Sequence, residues 1–435
     1  MNARVEITDR QFAQQQDRED PLAQFPGQFF RPDKNLCYLD GNSLGRLPLA
    51  TTDAVASFLT KQWGAELVDG WNHWIDESER AGDQLARAVL GTGPGQTLVT
   101  DSTSVNLYQL LMAAVDAQPS RRTIIIDSAN FPTDRYILQG IATARGLNLI
   151  TLDVDQTGGP GALSLQTDQE RFDVAGLESV LSDDVAVLTL QAVNYRSGTR
   201  QPVREITELA RKYGIPVLWD CSHAAGSVVL DFDANGVDLA AGCTYKYLNA
   251  GPGSPGWLFV RKQWQERLRV PIQGWFAQAD QFAMGPQFDP VEGIGRFQIG
   301  SPPIMGIRCV QSSVAMVEQA GMAAIEAKAQ RGTQMMVELF DAWLAPLGFE
   351  LHTPRHAEHR GGHIAVTHPE AKQIALAMRQ LGDVIPDYRE PSMIRLAMSP
   401  LATTYQEVWD GLDRMRQLVE SGRYREATAE ASRVT

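Results

Sequence analysis

The stretch that decides the fold is Ile215-Pro-Val-Leu-Trp-Asp-Cys-Ser-His-Ala-Ala-Gly226. It opens with an apolar run that has the length of a buried strand, and it brings Asp220 and His223 to the point where that strand leaves its sheet. A second stretch, Ala241-Gly-Cys-Thr-Tyr-Lys-Tyr-Leu-Asn-Ala-Gly-Pro-Gly253, carries Lys246 between two tyrosines. The two stretches therefore offer a carboxylate and an amine, 26 residues apart, to one site.

The segments that precede these stretches alternate between predicted strands and predicted helices. The predicted strands are Leu98–Thr100, Thr123–Asp127, Leu147–Val154, Val185–Leu190 and Ile215–Trp219. The predicted helices include one that starts after Asp101–Ser104, one at Tyr136–Arg145 that stops at Gly146, one at Val174–Leu181 and one capped by Gly214, and a glycine and proline loop is predicted at Gly158–Gly161. Such alternation predicts an α/β fold with a mostly parallel sheet buried between helices.

The two ends of the chain have a different character. Residues 1–72 predict an N-terminal arm and helix, residues 73–305 a large cofactor-binding α/β domain, and residues 306–435 a smaller α+β domain. In the last part, a helical tract from Gly306 to Leu344 precedes short strands at Phe349–Thr353, Gly362–Thr367 and Ile394–Met398, with helices at Glu370–Leu381 and from Tyr405.

Composition narrows the class of function. The 435 residues carry a net charge of −13, which argues against a nucleic-acid or anionic-membrane partner, since either would favour a basic surface. The four cysteines are far apart and form no metal-ligand spacing, so we expect neither a disulfide framework nor a zinc site. The first residues contain no apolar signal core and no apolar run reaches the length of a membrane span, so we expect a cytoplasmic protein.

The acid and the lysine suit a pyridoxal 5'-phosphate site. This cofactor needs an amine that holds its aldehyde and an anion that faces its pyridine nitrogen, and Lys246 and Asp220 supply the two groups. Taken singly, Asp220 could be a strand-end cap and Lys246 a surface lysine; their order after a strand–helix–strand unit favours the cofactor. His223 is consistent with a group packed near the ring, although a lone histidine is more often structural.

Three further segments predict contacts in the same site. Thr103 and Ser104 lie at a helix start, where unpaired backbone donors favour a phosphate, although an ordinary helix cap has the same composition. Phe131 follows the strand Thr123–Asp127 and could stack on the pyridine ring or simply pack at a helix entry. The loop at Asn194–Gly198 follows the strand Val185–Leu190 and either faces the ligand or forms a surface turn.

Two features of the C-terminal third invite a functional interpretation. Five of the seven histidines fall between His352 and His368, but nearby charge is mixed and no cysteine is adjacent, so we predict no metal. Arg395 is a charge within an apolar strand, where it must be paired or face a site. A guanidinium fork suits a substrate α-carboxylate, and the alternative is an internal salt bridge.

At this point the chain resembles a known family, kynureninase, whose members are fold-type-I pyridoxal-phosphate hydrolases of tryptophan degradation, like the class V aminotransferases in fold. The matching stretches run in order over nearly the whole chain. They are Asp40-Gly-Asn-Ser-Leu-Gly45, Thr103-Ser-Val-Asn-Leu107, Phe131-Pro-Thr-Asp134, Asp220-Cys-Ser-His-Ala-Ala-Gly226, Tyr245-Lys-Tyr-Leu-Asn-Ala-Gly251, Gly274-Trp-Phe276, Ser301-Pro-Pro-Ile304 and Ile394-Arg395.

The resemblance implies a role for each matching residue. Lys246 would hold the cofactor aldehyde, Asp220 would pair with the pyridine nitrogen, and His223 would lie beside the cofactor. The other cofactor contacts that it implies are Tyr245, Thr103 and Ser104 at the phosphate, Phe131 on the ring with Pro132, Thr133 and Asp134 beside it, and Trp275 and Ser301 from the second subunit of a homodimer whose active sites lie at the interface. Arg395 would bind the carboxylate of an amino-acid substrate.

The implied reaction is hydrolysis of L-kynurenine, or of 3-hydroxy-L-kynurenine, at the Cβ–Cγ bond, to anthranilate or 3-hydroxyanthranilate and L-alanine. Tyr245 is a candidate proton relay, and we expect its phenol pKa to be lowered by the neighbouring phosphate and imine. Another class V enzyme remains an alternative, either an aminotransferase or a cysteine desulfurase, but the latter needs a reactive cysteine on a mobile loop. A non-catalytic binding protein of the same fold is the third interpretation.

Overall fold

The large sheet forms the centre of the molecule in the computed structural model, which describes residues 5–154, 163–164, 167–168 and 170–428. Over these residues the sheet has eight strands. From one edge to the other they are Thr97–Val99, Trp257–Val260, Leu239–Gly242, Val217–Asp220, Val185–Gln191, Thr123–Asp127, Asn148–Asp153 and Leu163–Ser164. Trp257–Val260 is antiparallel to both neighbours and the remaining pairs are parallel, so the predicted mostly parallel sheet is confirmed.

Burial explains why the central strands form. All five residues of Thr123–Asp127 and all seven of Val185–Gln191 are buried, and both runs are rich in β-branched or aliphatic side chains. The helix Pro132–Arg145 returns the chain from one strand to the next and ends at Gly146, whose φ of 62° is in the left-handed region. A side chain with a Cβ adopts this region only with strain, which accounts for the predicted stop.

Helices cover the large sheet and continue into the smaller unit. The α-helices of four residues or more are Arg10–Glu19, Leu49–Ser57, Trp71–Trp74, Glu77–Leu85, Thr103–Asp116, Pro132–Arg145, Val174–Glu178, Val203–Lys212, Phe232–Asn235, Lys262–Gln265, Ile304–Ala320, Met322–Leu339, Ala371–Leu381 and Tyr405–Glu420. The tract predicted from Gly306 to Leu344 is two helices, because Gly321, at a φ of 78°, turns the chain between them.

The smaller unit has its own sheet and its own apolar core. Its antiparallel strands follow the order Glu350–Leu351, His363–Thr367, Met393–Ala397 and Asp387–Arg389. Its core includes Met336, Ile364 and Leu412, and it is separate from the two apolar clusters on either face of the large sheet. The predicted α+β character is therefore confirmed, while the boundaries at residues 72 and 305 stay a prediction.

The N-terminal segment connects the two units. The strand Cys37–Tyr38 pairs in parallel with Val384–Ile385 of the smaller unit. A few residues later, the amide of Gly45 donates a hydrogen bond of 2.7 Å to the carbonyl of Tyr245 in the large unit. Residues 37–45 therefore bridge the two units beside the second decisive stretch.

Most other predicted elements are found with boundaries shifted by a few residues. The predicted loop Gly158–Gly161 lies outside the described residues. Among the helices of the described residues, none is long and apolar enough to cross a membrane.

Candidate active site

A cleft opens at the edge of the large sheet where its parallel strands end. Asp220 is the last residue of Val217–Asp220 and lies in register with Gln191 on one neighbouring strand and Ala241 on the other. Lys246 follows that second neighbour by a few residues, so the sheet topology brings the two decisive stretches together. Ligands of open α/β sheets bind at this kind of edge.

The cleft has an empty volume of about 420 Å³. Nine predicted site residues line it: Thr103, Ser104, Phe131, Thr133, Asp134, Asp220, His223, Tyr245 and Lys246. Four residues without a predicted individual role also line it: Leu107, Gln191, Tyr195 and Ser222. The predicted residues outside the lining are Pro132, Trp275, Ser301 and Arg395.

Lys246 is held by a histidine. Its Nζ lies 2.9 Å from Nε2 of His223 and 5.8 Å from the centre of the Phe131 ring. Burial, together with the positive charge of Lys246, lowers the pKa of His223 well below its ordinary value, so the imidazole is neutral at neutral pH. A neutral Nε2 can accept a hydrogen bond from the lysine, which places the ring proton on Nδ1.

Two aspartates also line the cleft. Asp220 accepts a hydrogen bond of 2.8 Å at Oδ1 from the amide of Ser222. Burial raises the pKa of Asp134 well above its ordinary value, and the carboxylates of Asp220 and Asp127 raise it further. The Oδ2 atom of Asp134 and Nδ1 of His223 are buried without a hydrogen-bond partner in the part of the chain that the structure describes.

The helix Thr103–Asp116 points its start at the cleft. Ser102 caps this helix by accepting a hydrogen bond from the amide of Val105. The first amides of the helix, at Thr103 and Ser104, have no intrahelical partner because no helical turn precedes them. Thr103 and Ser104 both line the cleft at this end. Unpaired amides, two hydroxyl groups and the helix dipole favour an anion there.

Two aromatic side chains shape one wall. Phe131 precedes the helix Pro132–Arg145, where the fixed φ of Pro132 suits the first helical position. The rings of Phe131 and Tyr195 meet edge to face, with their centres 5.2 Å apart. The backbone amide of Tyr195 donates to the side-chain oxygen of Gln191, so the loop predicted at Asn194–Gly198 does face the cleft.

In the protein alone the pKa of Tyr245 shifts upward, and the lowered pKa expected beside a bound phosphate and imine stays a prediction. Burial raises the pKa of this phenol, and the neighbouring groups Cys243 and Asp220 raise it further. The expectation assumed a phosphate and an imine beside the ring, whereas the chain itself surrounds the ring with apolar volume and negative charge. Tyr245 is therefore a protonated hydrogen-bond donor at neutral pH.

Arg395 lies behind Tyr195 and makes the internal salt bridge that was the alternative to carboxylate binding. Its Nε atom is 2.5 Å from Oδ2 of Asp387, Nη1 donates to the carbonyl of Tyr195, and Nη2 lies 3.2 Å from Oγ of Ser43. The guanidinium is 1% exposed. It does not line the cleft directly, but the residue that accepts its Nη1 bond does.

Trp275 and Ser301 lie away from this cleft. Trp275 is 48% exposed and stacks edge to face on Phe276, and Ser301 is exposed just before the helix Ile304–Ala320. The resemblance assigns both residues to the site of a second subunit, so one chain leaves that prediction untested.

The histidines between His352 and His368 do not form one cluster in the structure. His352 contacts Glu170 at 3.3 Å, His356 and His359 face each other, and His363 begins a strand. Within the described ranges, no group of three or more His, Cys, Asp or Glu side chains has a geometry that could hold a metal ion. Three of the cysteines, Cys37, Cys221 and Cys243, are buried, and Cys309 is half-buried within a helix.

The sequence of this chain is similar to curated kynureninases over most of its length. It is 37% identical to a kynureninase of Pseudomonas fluorescens over 410 residues, which are 93% of this chain and 94% of that protein. It is 36% identical to a kynureninase of Burkholderia pseudomallei over 417 residues, which are 94% of this chain and 95% of that protein. The chain belongs to the kynureninase family.

A family model for the kynureninase C-terminal domain matches residues 325–415, most of the smaller unit. Solved structures agree on the fold. A cysteine desulfurase of Thermococcus onnurineus superposes with a TM-score of 0.76 at 18% identity, covering 89% of this chain and 95% of that chain. A cystine C-S lyase superposes with a TM-score of 0.74 at 18% identity, covering 93% of this chain and all of that chain. This kynureninase family member therefore has the fold of these enzymes.

Two residues without a predicted role in the site lie behind the predicted residues of this kynureninase family member: His363, considered only within the histidine group, and Asp387. His363 is fully buried, and its ring centre lies 5.4 Å from that of His223. Burial and the charge of Arg395 lower the pKa of His363 to about 3, so a second neutral imidazole backs the first. A signal for Asp387 was present: it and Arg395 flank the turn at Pro391, so a hairpin would place them side by side.

Proposed function

We propose that this chain binds pyridoxal 5'-phosphate and hydrolyses L-kynurenine, 3-hydroxy-L-kynurenine or both to L-alanine and the corresponding anthranilate. The observation that carries the proposal is one cleft that holds an amine, Lys246, a carboxylate, Asp220, and the open start of a helix. Membership of the kynureninase family supplies the reaction.

The residues present fit the cofactor. The helix start at Thr103 and Ser104 suits its phosphate, Phe131 offers a flat face for its ring, and Asp220 suits its pyridine nitrogen. The unpartnered atoms of Asp134 and His223 supply further hydrogen-bonding capacity. When bound, pyridoxal phosphate holds an amine through its aldehyde and withdraws electrons from the substrate's Cα.

Each residue of the chain then has a separate task. Lys246 moves the proton of the substrate's Cα, and neutral His223 accepts a hydrogen bond from its amine. Asp220 keeps a proton on the ring nitrogen through its negative charge. Tyr245, which is protonated because burial raises its pKa, donates a proton or hydrogen bond near the breaking Cβ–Cγ bond while water adds at Cγ.

Arg395 binds the α-carboxylate of the substrate in this proposal. Both of its Nη atoms contact neutral acceptors, the carbonyl of Tyr195 and the hydroxyl of Ser43. A carboxylate is a stronger acceptor than either, because charge-assisted hydrogen bonds are roughly twice as strong as neutral ones. The substrate can therefore replace these contacts when it enters.

The active form is proposed to be a homodimer. Large apolar side chains remain exposed on the single chain, among them Trp63, Leu67, Val68 and Trp275. Large exposed apolar side chains favour an interface, because aromatic residues are enriched where protein surfaces meet. In the dimer, Trp275 and Ser301 of each chain would contact the phosphate bound by the other.

The experiment measures anthranilate fluorescence after L-kynurenine is added to the cofactor-loaded enzyme. We expect product from the native chain and a loss of at least about 10³-fold in Lys246→Ala, which has no amine to move the proton. Lys372→Ala is the matched control, because this lysine is exposed and pairs with Glu390 far from the cleft. The same assay with 3-hydroxy-L-kynurenine gives the substrate preference.

Borohydride reduction provides a second readout. The native chain should retain the cofactor covalently after reduction, and Lys246→Ala should not. Cofactor that borohydride still fixes to Lys246→Ala would reject the assignment of this lysine. A native chain that forms no anthranilate, but releases sulfide from cysteine or exchanges amino groups, would instead support one of the other class V activities.

A further inference from the structure

The hairpin of the smaller sheet places a carboxylate directly beside Arg395. The strands Asp387–Arg389 and Met393–Ala397 are antiparallel, and Asp387 and Arg395 are register partners. The side chain of Asp387 is 2% exposed and that of Arg395 is 1% exposed. A charge pair at this depth is stable only if each member keeps its partner, since a lone buried charge is costly.

Asp387 is shared between two arginines. Its Oδ2 atom is 2.5 Å from Nε of Arg395, and its Oδ1 atom is 3.0 Å from Nη2 of Arg389. The hydroxyl of Ser43, on the segment that bridges the two units, lies 3.2 Å from the same Oδ1. The carboxylate thus fixes the Nε side of Arg395 and leaves the two Nη atoms with the neutral acceptors described above.

Asp387, Arg389, Arg395 and Ser43 form what we call the Arg395 corner, and its net charge favours an incoming anion. Two guanidinium groups share one carboxylate, which leaves an excess of one positive charge. The neighbouring ionisable groups, Arg379 and Asp40, lie 4.0 Å apart and carry opposite charges when Asp40 is ionised, so that pair adds no net charge. The side chains of Asp387 and Arg395 are buried, so their charges are screened little by salt, while that of Arg389, which is one-third exposed, is screened more.

We propose that Asp387 is a positioning residue, which holds Arg395 by its Nε edge so that the Nη edge receives the substrate α-carboxylate. Arg389 neutralises the part of the Asp387 charge that would otherwise repel that carboxylate. The proposal rests on the proposed function, in which Arg395 binds the substrate. Asp387 itself touches neither substrate nor cofactor.

The test compares two ligands in the cofactor-loaded Asp387→Asn enzyme. One is L-kynurenine, and the other is the amine that differs from it only by lacking the α-carboxylate, used as a competitive inhibitor. We expect KM for L-kynurenine to rise roughly 10- to 100-fold, because loss of the charged hydrogen bond that orients the guanidinium outweighs the attraction from the positive charge that the substitution adds. The inhibition constant of the amine should change by less than about threefold, as should kcat.

Asp20→Asn is the matched control. Asp20 also forms a nearly inaccessible ion pair, with Lys328 at 2.7 Å, but it lies on the N-terminal segment outside the cleft. A loss of ligand affinity caused only by weakened folding would appear in both variants and for both ligands. Equal KM increases in the two variants, or an unchanged KM in Asp387→Asn, would overturn the proposal.

Arg389→Gln keeps the proposal testable if Asp387→Asn does not fold. Arg389 is one-third exposed, so its loss should be tolerated, and the corner then has no excess positive charge. KM for L-kynurenine should rise by roughly threefold or more, with no change for the amine. If the ratio of KM for L-kynurenine to the inhibition constant of the amine does not change, Arg389 does not share the charge of Asp387 in the way proposed.

Arg395→Gln separates failure of this inference from failure of the proposed function. If that variant leaves the ratio between the two ligands unchanged, Arg395 does not bind the carboxylate and the proposed function loses that step. If it removes the preference while Asp387→Asn does not, only the positioning role is wrong. When both proposals hold, adding Asp387→Asn to Arg395→Gln changes KM less than about twofold, because the two side chains act through one contact.

Discussion

The cleft and the Arg395 corner differ in whether their buried polar and charged groups have partners. In the cleft, Asp134 and His223 keep buried polar atoms without a partner among the described residues, and like charges face each other. In the corner, every nitrogen of Arg395 has an acceptor and Asp387 has two cations. In the proposed function, a ligand therefore adds contacts in the cleft, whereas it replaces existing contacts in the corner.

The largest effect expected from this comparison is in the cleft. Asp220→Asn should lower kcat by on the order of 10³-fold, because the ring nitrogen loses the anion that keeps it protonated. Cofactor should still bind, since the amide fills the same space. Steady-state kinetics and the absorbance of bound cofactor measure the two effects.

Asp238→Asn serves as the comparison variant for that experiment. Asp238 is also buried at a strand of the same sheet, but it pairs with Arg261 at 3.4 Å, away from the cleft. We expect it to retain kcat within about threefold. A similar loss in both variants would mean that the Asp220 effect comes from the sheet and not from the cofactor.

The next effect concerns the stability of the cofactor-free protein. The folded-state pKa of Asp134 is raised, so its contribution to stability is lost as pH rises above the ordinary aspartate value. Asp134→Asn removes the buried carboxylate and should stabilise the cofactor-free protein at pH 8, with a smaller gain near pH 4.5. Denaturant unfolding at the two pH values provides the measurement.

The Arg395 corner supplies a variant of opposite sign. Asp387→Asn should destabilise the same cofactor-free protein by about 3 kcal/mol, because it leaves a buried cation without its partner. If both variants destabilise the protein at pH 8, the contrast between an incomplete cleft and a complete corner is wrong.

The last expected effect lies between the two regions. Burial and the Asp387 carboxylate raise the pKa of Asp40 to about 6. Stability should therefore fall as pH rises from about 4 to 6 and then level off, so Asp40→Asn should gain about 3 kcal/mol over the native chain across that interval. A gain that keeps growing above pH 7 would assign the titration to another group.

Most of the predicted residues line one cleft because their sequence signals are local. Asp220, Phe131 and the helix start at Thr103 each follow a strand that hydrophobic pattern alone reveals, and parallel strands deliver such residues to one edge. The strand Leu239–Gly242, which Lys246 follows, was not among the predicted strands. The order of the strands is set by long-range pairing, so the place of Gln191 and Tyr195 beside Asp220 could not be read from spacing.

The Arg395 corner was predicted only in part for the same reason. Arg395 was recognised as a charge in an apolar strand, but its partners come from three segments, at Ser43, Tyr195 and Asp387. Only Asp387 is close in sequence. The raised pKa of Tyr245 in the protein alone could not be predicted because burial, its main cause, is a property of the packed structure and not of the motif.

The bridging segment at residues 37–45 has a consequence for motion. The backbone amides of Cys37 and Leu39 donate hydrogen bonds of 2.9 Å to the carbonyls of Asp383 and Ile385 in the smaller unit. At its other end, the amide of Gly45 donates to the carbonyl of Tyr245 beside the cleft. If the smaller unit rotates on ligand entry, this tether can move with it, which breaks the hydrogen bond between Gly45 and Tyr245. Otherwise the tether stays with the large unit, which breaks its pairing with the strand Val384–Ile385. Either movement breaks backbone hydrogen bonds of this segment, so the tether limits how far the site can open.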